Sequence, residues 1–558
     1  MKSKKLWLLL STVAVGSSLA ACSGNSESGG ESAEGEEGQA SGDQVVDISI
    51  SDEIPSMDPS LVTDQHGMQW TGETYEGLYR TGEEGDPVEG IAMDHETSED
   101  GLTWTFNLRE DAEWENGDPV TANDFVYAWQ RAVDPDTASE YGPYMMAGVI
   151  DNATEVSEGE MDVEELGVEA VDDYTLEVTL DKVTPYFESL TTFPTFLPLN
   201  ESFVEEQGEN FALEAENTLS NGPFKMTEWS HGESMKFEKN DTYWDADTVQ
   251  LSEINAQVVK ETSTGVNLFE TGELDRVSIS AEYVDQYSTE QSFRTIEEPS
   301  VFFLKMNQSN DGPLANENVR KAIAQSIDKE GLADTILNDG SFPANGLVPE
   351  NFVTSPESDE GFREANGDLL PTDKEAAQEA WAAALEELGT DTVEIEMLGD
   401  DTDKAQNINA YFKNQLEENL EGLTLNVKSV PFKERLRLSD EMDYELSVSG
   451  WSPDFVDANS FMNMFVTDGG YNQMGYSNEE YDALIEEAAG DSADDPQARW
   501  DAFLEAEKIL VEEDAAIAPL YQRSTAYLWN PALQGVYYNA AGHDFEYKWA
   551  YVDEEAAE

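Results

Sequence analysis

The stretch at 444–455 places a carboxylate where a predicted strand leaves the core. Its first half alternates apolar and polar residues, with Tyr444, Leu446 and Val448 on one face, which predicts a strand with one buried side. Pro453 then ends the hydrogen-bonded ladder, because proline has no N–H to donate.

Asp454 follows at once, with Trp451 and Phe455 beside it and Gly450 permitting a close backbone approach. A lone carboxylate in a partly dry, aromatic pocket is costly unless a cation meets it. The stretch alone leaves two interpretations open. Asp454 is either a solvated acid at a strand exit or the partner of a cation.

The charge of the chain excludes whole classes of partner. There are 119 Asp and Glu against 29 Lys and Arg in 558 residues, a formal net charge of −90. Nucleic acids and anionic membrane surfaces both require clustered Lys and Arg. Such a charge repels itself and is screened by salt, so we expect a protein that works outside the cell in a salty medium.

The N-terminus has the features of a targeting segment. A basic start is followed by an apolar run that is too short to span a membrane, and Cys22 comes directly after Leu-Ala-Ala. Cys22 is the only cysteine, and this sequence resembles the lipobox of bacterial lipoproteins. We predict a signal peptide at 1–21 and a lipidated, flexible, acidic linker at 22–44.

Alternating and amphipathic segments are mixed with irregular spacing in the rest of the chain, which predicts α/β lobes with a mixed α+β part. We predict strands at 45–50, 104–108, 174–180, 224–229, 235–239, 252–259, 301–306, 393–398 and 423–430. We predict helices at 70–78, from residue 123, and at 318–327, 374–388, 405–420 and 497–512.

The sequence contains no motif for covalent chemistry. None of the four histidines is spaced as a metal ligand or stands near a second ligand type, and there is no nucleophile elbow, phosphate-binding loop or dinucleotide fingerprint. The acidic run at 400–403 lacks the glycine and terminal glutamate of a calcium loop. We therefore expect no enzyme activity, no cofactor and no metal site.

Several separated segments, in order along the chain, resemble the family-5 extracellular solute-binding proteins of ABC importers. The most specific are the signature-like block at 107–129 and the Gly-Trp-Ser-Pro-Asp-Phe segment at 450–455. The others lie at 75–78, 220–225, 239–245, 318–323, 460–463, 476–478 and 518–521.

This resemblance implies a two-lobed, periplasmic-binding-protein-like fold of the type II cluster that closes about a hinge on its ligand. Lobe I would comprise 45–78, 199–300 and 520–558, with an extra subdomain at 79–198. Lobe II would comprise 301–519. A permease would recognise only the closed, ligand-bound state.

The resemblance also implies site residues. In peptide-binding relatives the aspartate of this segment pairs with the α-ammonium of the ligand, which assigns that role to Asp454. The ligand backbone would lie between Gly450 and Ser452 on one side and Thr63 and Gln65 on the other. The implied aromatic pocket consists of Tyr141, Phe432, Trp451 and Tyr521, each of which has ordinary core packing as its alternative.

One departure from the family pattern concerns the other end of the ligand. Peptide-binding relatives often carry an arginine two residues before the Gly-Trp pair, and here that residue is Val448. Arg435 and Arg437 lie nearby in sequence. A longer peptide whose tail needs no fixed cation, or a non-peptide ligand, is therefore an alternative.

The sequence thus predicts a monomeric lipoprotein on the extracellular face of the membrane (the periplasmic side in a Gram-negative host). It would capture oligopeptides and deliver them to an ABC permease, without nucleic-acid partners. The alternatives are a sugar, cationic or metal-chelate ligand, a receptor for a signalling peptide, and a secreted hydrolase that uses a carboxylate pair.

Overall fold

The computed structural model describes residues 43–83, 85–184, 186–309, 312–489 and 495–557. The predicted signal peptide, Cys22 and the predicted linker up to residue 42 lie outside the described residues. At Gln44 the chain is already bound to the C-terminal segment. The Gln44 side chain donates to the Val552 oxygen at 3.0 Å and accepts from the Val552 N–H at 2.9 Å.

The strands of the main sheet come from both halves of the chain. They are β1 (Val45–Ile50), β8 (Phe224–Ser230), β9 (Ser234–Lys239), β10 (Glu253–Val258), β11 (Arg276–Ile279), β12 (Phe293–Met306), β13 (Phe342–Pro343), β14 (Val393–Asp400), β15 (Leu423–Val430), β16 (Leu446–Trp451) and β17 (Ile517–Trp529). The sheet is 11-stranded in the order β15-β14-β16-β12-β17-β11-β1-β10-β9-β8, and β13 pairs with β17.

A second sheet is separate from the first. Its strands are β4 (Ala92–Thr97), β5 (Thr103–Leu108), β6 (Val168–Asp172) and β7 (Thr175–Thr179), in the order β4-β5-β7-β6. A hairpin of β2 (Tyr79–Thr81) and β3 (Pro87–Glu89) precedes it, and four two-residue strands, β18 to β21, follow at Leu533–Gln534, Tyr537–Tyr538, Phe545–Glu546 and Tyr551–Val552.

The helices cover the faces of these sheets. They are α1 (Gln65–Thr74), α2 (Ala122–Val133), α3 (Tyr141–Met146), α4 (Ala153–Ser157), α5 (Phe187–Leu190), α6 (Glu201–Gln207), α7 (Thr262–Thr271), α8 (Glu282–Tyr287), α9 (Glu317–Ser326), α10 (Lys329–Gly331), α11 (Phe362–Asn366), α12 (Lys374–Leu388), α13 (Asp403–Asn419), α14 (Phe432–Asp440), α15 (Asn459–Met462), α16 (Glu479–Ala489) and α17 (Pro496–Lys508). Among the described residues, no helix combines the length and apolar character needed to cross a membrane.

The two longest strands, β12 and β17, connect the lobes. They pair antiparallel with each other, while β17 also pairs with β11 in one lobe and β12 also pairs with β16 in the other. The lobe boundaries proposed from the sequence, at 300/301 and 519/520, fall inside these strands. The connection between the lobes is therefore a pair of hydrogen-bonded strands.

The element predictions are confirmed where the pattern is long and locally capped. The helix at 374–388 and the strand at 423–430 have the predicted bounds. The prediction at 70–78 is wrong in its bounds, because Asp64 accepts a hydrogen bond from the Gly67 N–H at 3.0 Å and so starts α1 at Gln65. The strand predicted from Tyr444 begins instead at Leu446.

Candidate ligand-binding site

A cleft of about 470 Å³ lies between the lobes. Its walls come from α1, β11, β12, β16, β17 and α14. The predicted ligand-binding residues that line it are Thr63, Gln65, Tyr141, Phe432, Gly450, Trp451, Ser452 and Tyr521. Asp454 is not among the lining residues but lies directly behind them, since Tyr141 contacts it.

Gly450 is required by the ring that faces it. In the antiparallel pair of β12 and β16, Gly450 lies opposite Phe302. A Cβ atom added at Gly450 would lie 2.7 Å from the Phe302 ring, too close for any real contact. Phe302 in turn stacks on Tyr521, with ring centroids 4.9 Å apart. The two rings form a flat apolar wall that only glycine leaves open at this register.

Aromatic rings from separate elements meet at the end of β16. Trp451 lies 4.9 Å from Tyr471 and Tyr141 lies 5.1 Å from Tyr471, both between ring centroids. The Trp451 indole N–H donates to the backbone oxygen of Ser460 at 2.8 Å. Tyr141 comes from α3, so this cluster joins two distant parts of the chain across the cleft.

Asp454 is buried behind this cluster with only part of its hydrogen-bonding capacity used. The Tyr141 hydroxyl donates to Oδ1 at 3.0 Å, and Oδ2 has no hydrogen-bond partner among the described residues. The Asp454 N–H donates to the Ser460 hydroxyl at 2.8 Å, which fixes the loop. Burial raises the pKa of Asp454 well above its usual range, and the Tyr141 hydrogen bond offsets this only in part.

The solvated interpretation of Asp454 is therefore wrong, because the side chain is 7% exposed. A buried carboxylate with an unused oxygen is unstable as an anion until a donor or a cation reaches it. A ligand ammonium would provide both the charge and the hydrogen bond. Binding of a ligand ammonium by Asp454 stays a prediction.

The other predicted ligand-binding residues differ in which of their polar atoms already have a hydrogen-bond partner. Gln65 Oε1 is buried without a hydrogen-bond partner among the described residues. The Ser452 hydroxyl is already paired with the Ser300 hydroxyl at 2.6 Å. Phe432 packs edge-on against His66, with ring centroids 5.4 Å apart. Thr63 lies on the same wall as Gln65.

The arginines considered for the ligand carboxylate are already engaged. Arg435 lines the cleft, but its Nε donates to Asp400 at 2.7 Å. Arg437 is outside the set of lining residues and pairs with Glu434 and Glu441 on α14 and at its end. Val448 does line the cleft and offers only apolar atoms there.

The acidic run at 400–403 is a paired turn. Asp400 pairs with Arg435, and Asp401 accepts from Lys260 at 2.7 Å. The Thr402 hydroxyl accepts from the Ala405 N–H at 3.2 Å and so caps α13. These contacts match the polar turn favoured over a calcium loop.

The prediction that no histidine stands near a second ligand type is wrong. Glu73, His543 and Glu546 are buried, and their ligand atoms lie within 4.8 Å of one another. His543 Nε2 lies 2.6 Å from Glu546 Oε1, while Arg80 donates to Glu546 Oε2 at 2.7 Å. Because the Arg80 guanidinium already supplies a positive charge here, these residues form a buried network of charges within the chain and not a set of ligands waiting for a metal ion.

Sequence reasoning missed Phe302, Tyr471 and Lys305, which all line the cleft. Phe302 and Lys305 belong to a strand that the sequence did predict, but the pairing of that strand with β16 has no local signal. Tyr471 lies in a loop without a periodic pattern. Only the register between distant strands shows which of these side chains reach the cleft.

Known proteins are similar to this chain over nearly its whole length. The family described as bacterial extracellular solute-binding proteins, family 5 Middle, matches residues 86–473. The dipeptide-binding protein DppE of Bacillus subtilis (strain 168) is 31% identical, covering 98% of this chain and 99% of its own.

Solved structures share both the sequence and the fold. The structure of Listeria monocytogenes OppA bound to peptide is 45% identical, has a TM-score of 0.89 and covers 92% of this chain and 100% of its own. A structure of the pheromone receptor PrgZ, which describes its mode of peptide binding, is 32% identical with a TM-score of 0.87, again covering 92% of this chain and 100% of its own.

Proposed function

Because the chain belongs to family 5 of the bacterial extracellular solute-binding proteins, we propose that it captures oligopeptides in its cleft and delivers them to an ABC permease. The family match and the solved structures confirm the family and the two-lobed α/β fold predicted from the sequence. The family match also confirms the prediction that the chain is a transport binding protein and not a hydrolase. Peptide as the ligand agrees with the relatives, which are a dipeptide-binding protein, an OppA bound to peptide and a pheromone receptor with a known mode of peptide binding.

One observation carries the peptide proposal. Asp454 is buried behind Trp451 and Tyr141 with Oδ2 unused, so the site lacks one cationic donor. The α-ammonium of a peptide fits this need, and a charge-assisted hydrogen bond to it would stabilise the ionised carboxylate.

The rest of the ligand would be held through its backbone. In this arrangement the peptide lies beside the end of β16, where the Gly450 and Ser452 backbone faces the cleft. Thr63 and Gln65 form the opposite wall. Main-chain hydrogen bonds do not distinguish side chains, so the site would accept many sequences, with Tyr141, Phe432, Trp451 and Tyr521 as apolar surroundings.

Closure of the lobes would complete the site. Tyr141 reaches Asp454 from α3, and the Lys260 ammonium lies 2.7 Å from Asp401. Such contacts between elements on opposite sides of the cleft exist only when the lobes are close together. A permease that recognises the closed state would therefore detect bound ligand.

The membrane attachment is also a proposal. Cys22 after Leu-Ala-Ala would carry the lipid, and the Gly/Ser/Glu-rich segment after it would act as the tether for a monomeric binding domain. Mass spectrometry of the mature N-terminal peptide should show a diacylglyceryl group on Cys22. An unmodified cysteine would contradict the anchor.

The acidic surface is proposed to suit a salty medium. A net charge of −90 destabilises the compact state when it is unscreened, so the urea midpoint should rise between low and high NaCl. Equal midpoints would contradict this proposal.

The ligand can be identified directly. Protein purified without denaturation should carry short peptides with free amino termini, detectable by native mass spectrometry and sequencing of the released material. Calorimetry at high salt should then show binding of the same peptides to protein freed of ligand. A bound sugar or metal chelate, with no peptide binding, would overturn the proposal in favour of the alternatives.

A second role is favoured by one similarity. PrgZ is named as a pheromone receptor, so this chain could present a signalling peptide instead of a nutrient. A single co-purified sequence of high affinity would support the receptor role, whereas a mixture of sequences would support general uptake.

A further inference from the structure

Lys305 is a buried cation that faces the cleft without a carboxylate partner. It lies on β12, opposite Ser447 of β16, and lines the cleft although it is only 5% exposed. Its Nζ donates to Gln473 Oε1 at 2.7 Å. Within the described residues, no carboxylate oxygen lies within ion-pairing distance of this ammonium.

The other cations lining the cleft differ from Lys305. Four of them each have a carboxylate partner: Lys260 with Asp52 and Asp401, Lys404 with Asp339, Arg435 with Asp400, and Arg523 with Glu298. Arg276 is held against aromatic rings, with its guanidinium carbon 4.0 Å from the Phe545 ring centroid. Lys305 has neither kind of partner, so its burial is the least compensated.

The groups around Lys305 attract it without contacting it. Asp440 and Glu140 act favourably on its charge, whereas Arg435 repels it. Gln473 forms a hydrogen-bonded link between the Lys305 cation and the Asp440 anion. Its Nε2 donates to Asp440 Oδ1 at 2.8 Å, and its Oε1 accepts from Lys305. Burial is the largest effect and lowers the pKa of Lys305 to about 8. An additional anion at Nζ would relieve this cost.

Lys305 lies one strand position from Val448. In the pairing of β12 with β16, Leu304 lies opposite Val448 and Lys305 lies opposite Ser447, so the Lys305 and Val448 side chains leave opposite faces of the sheet. Both residues line the cleft, and only Lys305 brings a positive charge to it. The same two strands lead from Lys305 to Val301, which lies opposite Trp451.

We propose that the Lys305 ammonium binds the C-terminal carboxylate of the peptide, which makes it the counterpart of Asp454 at the other end of the ligand. This inference rests on the proposed peptide function. Lys305 lies four residue steps along β12 from Val301, opposite Trp451, a distance of about 13 Å, which an extended peptide of about four residues spans. The pair of opposite charges would select short peptides with both termini free and fix their direction.

The test is calorimetry at high salt with tetra-alanine and its C-terminal amide. For the wild-type protein, amidation should weaken binding at least about 10-fold, as expected for loss of a charge-assisted hydrogen bond. In Lys305→Met the free acid should bind about as weakly as the amide, within about 2-fold. Methionine fills a similar volume without a charge, so the fold should be kept, and the melting temperature checks this.

Lys404→Met is the matched control. Lys404 also lines the cleft, but it already has Asp339 as a carboxylate partner. The penalty for amidation should therefore remain as large in this variant as in the wild-type protein. Peptides of two to six residues should show their largest penalty near four.

Several outcomes would overturn the proposal. Equal binding of acid and amide by the wild-type protein, or an equal penalty in Lys305→Met, would remove Lys305 from the site while leaving peptide binding intact. Recovery of affinity by an amide that ends in glutamate, if it depends on Lys305, would assign the cation to a side-chain carboxylate instead. Failure of every peptide to bind would overturn the peptide function itself.

Discussion

Two buried groups of charges in this protein are built in opposite ways. Around Arg80, the guanidinium donates to Glu76 at 2.8 Å and to Glu546 at 2.7 Å, and to two backbone oxygens. At the cleft, Asp454 behind its wall and Lys305 in its lining each have one side-chain hydrogen bond, to a neutral group. The first set of charges is paired within the chain, and the second is not.

The difference separates structural from ligand-directed charges. A buried ion pair that is fully hydrogen-bonded repays its desolvation, so nothing else needs to bind there. A buried charge without a partner destabilises the folded protein unless another molecule supplies the partner. Among 119 acidic residues, a buried carboxylate oxygen without a hydrogen-bond partner, such as Asp454 Oδ2 directly behind the cleft wall, is thus more informative than the residue type.

The largest effect is expected from a substitution that removes the cation of the paired charges around Arg80. Arg80→Met leaves Glu76 and Glu546 buried without their cation, which should cost about 3–5 kcal/mol of unfolding free energy. Urea unfolding at high salt measures it. Arg437→Ala, which removes an exposed arginine paired with Glu434 and Glu441, should leave the midpoint nearly unchanged. Similar losses in both variants would contradict the distinction.

Asp454→Asn should have the opposite effect on stability. Replacing a buried carboxylate by a neutral amide should stabilise the ligand-free protein by about 1–3 kcal/mol at pH 7. The folded protein raises the pKa of Asp454, so the gain should shrink as the pH falls towards the ordinary carboxyl pKa of about 4. Urea unfolding at both pH values measures the difference, and a loss of stability at pH 7 would count against an uncompensated charge.

Peptide affinity should fall on both sides of neutral pH. A bound ammonium lowers the raised pKa of Asp454, so affinity is lost as the pH falls below the ligand-free pKa, by up to about tenfold per unit. A bound carboxylate raises the pKa of Lys305 from about 8, so affinity is also lost above that pH. Three charged groups around Lys305 affect this loss of affinity at high pH. They are Asp440, Arg435 and Glu140, and burial raises the pKa of Glu140 to about 7.

Calorimetry across this pH range checks the profile. In Lys305→Met the loss at high pH should be reduced to the part that comes from titration of the peptide's own amino group. A flat profile in the wild-type protein would show that neither charged group contacts the ligand.

Local patterns were sufficient to predict much of this fold. The period of α12, the alternation of β15 and the short segment from Gly450 to Asp454 each depend on neighbouring residues. Asp454 was singled out by its aromatic neighbours together with its position in the family pattern, and its role as the ligand's partner stays a prediction. The bounds of α1 were missed, since the cap at Asp64 decides its start.

Contacts between distant segments could not be predicted in this way. Lys305 reaches the cleft only through the pairing of β12 with β16, and a shift of one residue would turn its side chain to the other face. The hydrogen bond from Tyr141 to Asp454 and the approach of Glu73 to Glu546 join segments that are hundreds of positions apart. Neither leaves a pattern in a single sequence.

The most direct test of the account is a binding cycle at Asp454. Calorimetry at high salt would compare tetra-alanine with its N-acetylated form, for the wild-type protein and for Asp454→Asn. Acetylation removes the ammonium, and we expect it to weaken binding to the wild-type protein at least about 100-fold but binding to Asp454→Asn less than about 3-fold. An equal penalty in both proteins would show that Asp454 does not hold the amino terminus of the ligand.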